Sequence, residues 1–534
     1  MWQQNYVPLA DSLGVSALVA ALPIFTLLVL LGVLRKPAWA AALCGLATAT
    51  AVALFAYGMP APAVVSAIGY GAAFGLWPIG WIVFSAILLY RLTVETGKFE
   101  IIKDSIGSLT PDRRLQALLI AFAFGAFIEG AAGFGSPVAI AASMLAGLGF
   151  SPFYAAGICL LANTAPVAFG SIGIPVTTLA GITGLSANAL SGAVGRICAP
   201  VSIFVPSYLI LVMGGFKAWR GVAPAAILCG VVFGGVQYLV SNFHGPMLVD
   251  ILSSLAAIGS LVVLFKLWKP KDQFVLEGDH QAQVVKHHPT GEVMMAWLPY
   301  FFLVVFVLLW GQENIKAELN KFTINFPWPG LHNVVQRMPP VAAKPSGYAA
   351  MYAFSWLSAA GTSCLFASLA SALVLRVSPI RFARIFAGTC KQLALPMLTI
   401  ATVLGMAFLM NYCGATATLG LAFAATGPLF PFFSAMLGWL GVFLTGSDTS
   451  ANALFGNLQV VTATKLGLDP VLMAAANSSG GVMGKMISLQ SIAVAVAATG
   501  MAAGEQAKLF RFTMRHSIFL ASVIGLITAL YAYR

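Results

Sequence analysis

Within the run AFIEGAAGFGSPVAIAA, Ala126 to Ala142, one carboxylate, Glu129, stands among apolar and small residues. A charge at the middle of a membrane helix costs ~2.5–3.5 kcal/mol on insertion scales, so acids kept there face cavities and serve ion pathways or proton relays. The plainer reading is a solvated helix end. The glycines that follow, Gly133 and Gly135, permit close backbone approach, and Ser136-Pro137 can open a second half-helix. Such an N-terminus presents unpaired N–H groups and a positive dipole end to an anion.

A second polar cluster, TGSDTSANALFGN, holds Ser447, Asp448, Thr449, Ser450 and Asn452. One of these suffices as a helix cap; five in six positions point to the lining of a site. In ANSSGGVMGKMISLQS, Lys485 lies among small and apolar residues, with Asn477 and Ser478 upstream. It either snorkels to an interface or pairs with a substrate carboxylate. Arg196, in GAVGRICAP, poses the same choice.

These residues need a membrane scaffold. Of 534 residues, 60% are hydrophobic and 8% are charged, against about 25% charged in soluble domains. The apolar runs have bilayer-spanning length, so the chain reads as an all-α polytopic membrane protein. The net charge of +12 sits in short loops beside apolar segments, the placement of the positive-inside rule, and nucleic-acid binding is rejected. Basic flanks near 35–36, 91–114, 217–220, 266–286, 376–391 and 508–515 are assigned to the cytoplasm. The N-terminus then faces outward, and the mixed-charge loop at 312–347 is external. No cleavable signal peptide is evident. The seven cysteines lie in apolar segments without a CxxC pair and read as small buried hydrophobes. His287-His288 reads as part of a solvated loop rather than a metal site.

About 12–14 membrane segments are expected. The stretches at 129–150, 170–185, 412–426 and 446–500 are apolar but broken by Gly, Pro, Ser and Asn, as half-helices or re-entrant hairpins are. Broken backbone survives at membrane depth only inside protein or beside a cavity. AGLGFSP ends at Pro152 and TKLGLDP at Pro470; LANTAPVAFGS places Asn163 and Gly170 over Asn477 and Gly484 of AANSSGGVMGK. Charge flanks send 72–90 toward the cytoplasm and 392–411 away from it. The expected division is therefore N-terminal spans to 71, a first repeat at 72–184, and connecting spans at 185–389. Those spans carry a cytoplasmic loop at 269–294. A second, inverted repeat at 390–500 and a last span at 501–534 complete the chain. Inverted repeats with broken helices in matching places mark secondary transporters.

SGGVMGKM lacks the first Gly and the Ser/Thr of a phosphate loop, and neither H-E-x-x-H nor G-x-S-x-G occurs. No enzyme chemistry is expected. EGAAGFGSPVAIAASML, LLANTAPVAFGSIGIPV and GSDTSANALFGNLQ together resemble the bacterial L-lactate permease family, glycolate permeases included, over nearly the whole chain. Ser136 stands where many relatives are expected to carry Thr. The resemblance implies a proton-coupled inner-membrane symporter for small 2-hydroxymonocarboxylates, with protons as coupling ion and no other cofactor. A sodium-coupled carboxylate or anion symporter is the alternative. The residues themselves nominate Glu129 and Asp448 as proton carriers. Lys485 and Arg196, helped by Ser136, Asn163, Ser450, Asn477 and half-helix N-termini, would hold the carboxylate.

Overall fold

The turn chemistry seen in GFSP and GLDP builds the same hairpin corner twice. Gly149 and Gly467 adopt φ of 99° and 69°, a region open to glycine without steric cost. The next amides, of Phe150 and Leu468, reach back to the carbonyls of Leu145 and Ala463, closing the preceding helix. Ser151 and Asp469 then cap the next helix through the amides of Tyr154 and Val471, with proline in its first turn.

The computed structural model describes every residue except 35, 134–135, 273, 275–285, 343 and 502–504. Its first helices are α1 (Leu13–Leu31), α2 (Ala38–Ala56), α3 (Ala61–Glu95), amphipathic α4 (Lys98–Gly107) and α5 (Arg113–Ala131). A hairpin follows, of α6 (Ser136–Gly147), α7 (Pro152–Ala162) and α8 (Gly170–Thr183). Then come α9 (Ala187–Phe243), broken at Gly214-Gly215 and Val222, and α10 (Val249–Leu267). The second half holds α11 (Thr290–Gly311), α12 (Ala360–Val374), α13 (Pro379–Cys413) and α14 (Ala415–Phe423). It ends with α15 (Phe430–Thr445), α16 (Asp448–Leu466), α17 (Pro470–Gly484), α18 (Leu489–Thr499) and α19 (Gln506–Ala532).

Among the described residues, ten helices are long and apolar enough to cross a membrane, and twelve if each of two bent pairs counts as one span. The 41° bend between α17 and α18 lies in the expected irregular stretch 446–500, whereas the 62° bend between α7 and α8 falls at 163–166, ahead of the break expected at 170. The breaks at Gly214-Gly215 and Val222 divide α9 into two limbs, both within the expected connecting spans at 185–389. The flank from Arg381 to Lys391 is helical rather than loop, because α13 begins at Pro379. Cys44 and Cys390 are exposed, on the outward faces of α2 and α13, and only the other five cysteines are buried.

The packing is reciprocal. α1 packs on α2 as α11 packs on α12; α2 meets α13 as α12 meets α3; α1 meets α14 as α11 meets α4. Around the hairpins, α8 packs on α16 as α18 packs on α6. Likewise α9 packs on α5 and α17 as α19 packs on α15 and α7. This exchange of partners is what a two-fold relation between the halves produces. It extends beyond 72–184 and 390–500, taking in α1, α2, α9, α11, α12 and α19; α10 stands outside it. The equivalent helices α3 and α13 cross antiparallel: Gly71 lies against Leu404, Gly75 against Ala401, Gly80 against Met397, and Arg91 against Gly388. Two antiparallel helices that both span a bilayer enter it from opposite sides, the inversion expected from charge.

The basic loops meet at one end. Arg114 is fully buried and ion-paired to Asp112 and Asp272, each at 2.7 Å, and donates to the Ala218 carbonyl. Its guanidinium holds the Asp272 carboxyl below the ordinary range. His288 bonds the Asp104 carboxylate at 2.8 Å, and Lys508 lies over the Phe153 ring. At the opposite end, strand Trp2–Gln3 pairs in parallel with Val335–Arg337, which pairs with Ser346–Gly347, while Ile324–Pro327 pairs with Met351–Phe354. The 312–347 segment and the N-terminus therefore share a face.

α15 and α17 approach closely through glycine: a Cβ on Gly480 would overlap the Ala435 carbonyl oxygen, and one on Gly484 that of Trp439. This is small-xxx-small packing, which brings membrane helices into backbone contact. Gly480→Val should lower stability by about 1–3 kcal/mol, the cost of overpacking, read as a lower unfolding midpoint in detergent. Gly259→Val, where nothing lies within 4 Å, is the comparison and should leave the midpoint in place.

Candidate functional site

Both hairpins break beside an acid. α5 stops at Ala131 with Glu129, 5% exposed, in its last turn. Glu129 Oε2 accepts from Asn163 Nδ2 at 3.2 Å, at the end of α7. Its other oxygen lies so near Gly170 that a Cβ there would come within 2.7 Å. α15 stops at Thr445, Gly446 turns the chain at φ 72°, and Ser447 caps α16 through the Ser450 amide. Asp448, 3% exposed, opens α16. Its Oδ2 accepts from Ser478 Oγ at 2.6 Å and Asn452 Nδ2 at 3.3 Å. A Cβ on Gly481 would overlap Oδ1. Each acid thus rests in a notch that a side chain would fill.

Lys485 is 8% exposed and its Nζ donates to the Gly446 carbonyl at 2.7 Å. It does not snorkel. It caps the carboxyl end of α15, where the helix dipole favours a cation. The repeat match places Ser171 over Lys485, and Ser171 Oγ donates to the Ala132 carbonyl at 2.9 Å, the corresponding end of α5. Serine and lysine fill the same post in the two halves. Ser171, Ile172 and Gly173 take φ of 47°, 61° and 73°. Positive φ in a β-branched residue is strained, and such strain gathers at functional sites.

One cavity joins these groups. Glu129, Gly170, Ser171 and Pro175 line it from the first half, and Thr445 to Ser450, Lys485 and Gln490 from the second. α1, α2 and α13 close it, with Leu31, Trp39 and Thr399 at its wall. It thus lies between the hairpins and the outer helices, and the first-turn amides of α16, which have no intrahelical acceptor, are beside it.

The site residues named from sequence sort by position. Glu129, Ser447, Asp448, Thr449, Ser450 and Lys485 face the cavity. Asn163, Asn452, Asn477 and Ser478 stand behind it as buried hydrogen-bonding support: Asn477 Nδ2 donates to Asn452 Oδ1, and Gln459 Nε2 to Asn477 Oδ1. Gly133, at φ 59°, packs beside Ser171. Ser136 opens α6, and Gly135 lies outside the described residues. Arg196 is not brought to the cavity. It shares the exposed stripe of α9 with Pro200, Ile203 and Phe204, and bonds Asn242 at 2.9 Å. Helical phase decides this, turning Arg196 away while Val194, Ile197 and Cys198 pack inward.

Sequence reasoning passed over Ser171, Gln490 and the buried Asp250. Ser171 had a signal, its register over Lys485. Asp250, in the first turn of α10, reads in sequence as an ordinary dipole partner.

Comparison with known proteins follows the same outline. The family model described as L-lactate permease matches residues 16–534. The chain is 47% identical to the L-lactate permease of Salmonella typhimurium, covering 100% of this chain and 98% of that one. It is 46% identical to the L-lactate permease of Bacillus subtilis, over 99% and 98%. Identity to the glycolate permease GlcA of Escherichia coli is 45%, over 100% and 98%. These relatives are named as permeases rather than enzymes, and with its many apolar helices, its broken hairpins and a match along almost its whole length, the chain belongs to the L-lactate permease family of multi-pass membrane transporters.

Proposed function

We propose that this protein takes up L-lactate and related 2-hydroxymonocarboxylates, D-lactate and glycolate among them, with protons across the bacterial inner membrane. The observation that carries the reading is one buried ammonium facing two buried carboxyls across a cavity at two helix breaks, in a chain whose relatives are named lactate and glycolate permeases. The basic end faces the cytoplasm and the N-terminus the periplasm, in keeping with the charge of the loops.

The coupling is electrostatic. With one acid protonated, Lys485 and the other carboxylate balance. A bound monocarboxylate at Lys485 and the α16 N-terminus adds one negative charge to a low-dielectric site. The remaining carboxylate then gains from taking a proton. Substrate and proton therefore favour each other's binding, reciprocally and by a typical ~1–3 kcal/mol. Hydroxyls of Ser447, Thr449 and Ser450 are within the same lining to meet the substrate's 2-hydroxyl. Protons are the only coupling species this scheme uses. Labelled lactate uptake into proteoliposomes, with pH gradient and sodium varied separately, tests it: accumulation should follow the pH gradient and ignore sodium. Accumulation that follows sodium alone would overturn it.

Lys485→Met should weaken apparent affinity for lactate and glycolate by about 10- to 100-fold, since hydrogen bonds to charged groups contribute ~1.5–3 kcal/mol. Competition binding on folded protein in detergent reads this; an unchanged affinity would leave Lys485 as a helix cap only.

Glu129→Gln fixes a neutral side chain where a proton must come and go. One coupled proton fewer means about tenfold less accumulation per unit of pH gradient, because one unit is ~1.4 kcal/mol. Asp448→Asn is the internal comparison: the acid that carries the proton shows the tenfold loss, and the acid that only positions substrate shows weaker affinity at undiminished accumulation ratio. Glu129 is expected to be the carrier, its surround being the more apolar.

A further inference from the structure

We propose that Asp250 is a second proton-binding carboxyl of the transport cycle, set behind the Glu129 break; the proposal rests on the proton-coupled reading above. Asp250 lies in the first turn of α10 and is 1% exposed. Neither of its carboxyl oxygens receives a hydrogen bond from any described group. In this it differs from Glu129 and Asp448, which each have side-chain donors.

Its place is equally specific. A Cβ on Gly130 would come within 2.8 Å of Asp250 Cβ, so Asp250 packs on the backbone next to Glu129. The turn before it packs on the strained segment: a Cβ on Gly173 would come within 2.7 Å of the Pro246 carbonyl. The start of α10 and the turn before it thus touch both irregular elements of the first hairpin, Asp250 at the helix stop and Pro246 at the strained segment. The titratable groups that face it are Glu129 of α5, near enough to repel it, and Cys198 of α9. The parts of α5 and α8 packed against α10 contribute no cation, and the basic residues of α9 lie elsewhere, Arg196 on the exposed stripe bonded to Asn242 and Lys217 and Arg220 at the basic end.

A carboxylate without partner or counter-ion in the bilayer interior is too costly to persist. If the position needed only shape, the uncharged asparagine would fill it without the cost of burying a charge. What a carboxyl group adds there is the exchange of a proton. On loading, an O–H bond of hydronium in the outer water breaks as one forms at an Asp250 oxygen; on release the Asp250 O–H bond breaks and the proton passes to water on the other side. Two protons then enter with each monocarboxylate, one on Asp250 and one on the acid beside Lys485. The cycle carries one net positive charge, so an inside-negative membrane potential drives uptake. With one proton alone, transport would be electroneutral.

The test measures proton-to-lactate stoichiometry in proteoliposomes. It balances a lactate gradient against imposed pH gradients and potassium–valinomycin potentials, for wild type, Asp250→Asn and Asp250→Ser. Two protons per lactate and voltage-driven uptake are expected in wild type. In either neutral variant the ratio should fall to one and the voltage response should vanish. The variants are first matched to wild type by elution profile and unfolding midpoint. A variant that keeps the ratio of two and the voltage response overturns the proposal and makes Asp250 a structural residue. A wild-type ratio of one overturns it even if neither variant folds. Wild-type vesicles that accumulate no lactate under any gradient would instead overturn the transport reading, and this proposal with it.

Discussion

Among the described residues, the ammonium of Lys485 and the carboxyl groups of Glu129, Asp448 and Asp250 share the buried middle of this molecule, and the low dielectric there governs what surrounds them. An isolated charge in such a medium is worth or costs several times what it does in water. The fold answers by stopping helices where the charges are. The end of α15 gives Lys485 a carbonyl and the negative end of a dipole. Asn163 and Ser478 give Glu129 and Asp448 a donor each. Backbone groups freed at those stops are tolerable only inside protein or beside a cavity, and the outer helices α1, α2 and α13 supply that enclosure. Charge, helix break and cavity therefore require one another.

The two-fold packing explains how one chain makes such a place. Each hairpin alone would expose its break to lipid. Set against its counterpart, each has its last helix on the other's first, α8 on α16 and α18 on α6, so the breaks face inward. Glycine permits the remaining approach. Gly170 and Gly481 leave room for the carboxyl groups themselves, and Gly480 and Gly484 let α17 lie on the backbone of α15. These glycines are less flexible joints than missing side chains, and the space left by each is already assigned.

How much of this could be read beforehand follows from what a sequence makes conspicuous. Glu129, Asp448 and Lys485 stand out because charge is rare in this chain, and the GFSP and GLDP corners because turn residues have a local logic. Arg196 was equally conspicuous and lies elsewhere, since the identity of a residue does not say which way its helix is turned. Asp250 was hidden by position: an acid at a helix start is ordinary, and only its burial and lack of donors make it unusual. The equivalence of α1 and α2 with α11 and α12 was also hidden. Those pairs share contacts rather than motifs, because lipid-facing surfaces can be met by many apolar sequences.

The departure from symmetry matters as much as the symmetry. Ser171 and Lys485 hold the same carbonyl at the ends of α5 and α15, so either residue satisfies the backbone. The choice between them sets the charge of the cavity. Serine in both halves would leave two carboxyls facing no cation, a site suited to cations. Lysine in both would add a second ammonium and favour a doubly charged anion. One of each leaves a single positive centre among acids, the arrangement on which the proposed reversible holding of a monocarboxylate rests. An inverted repeat makes the cavity, and the one departure from it at this post sets the charge of its lining.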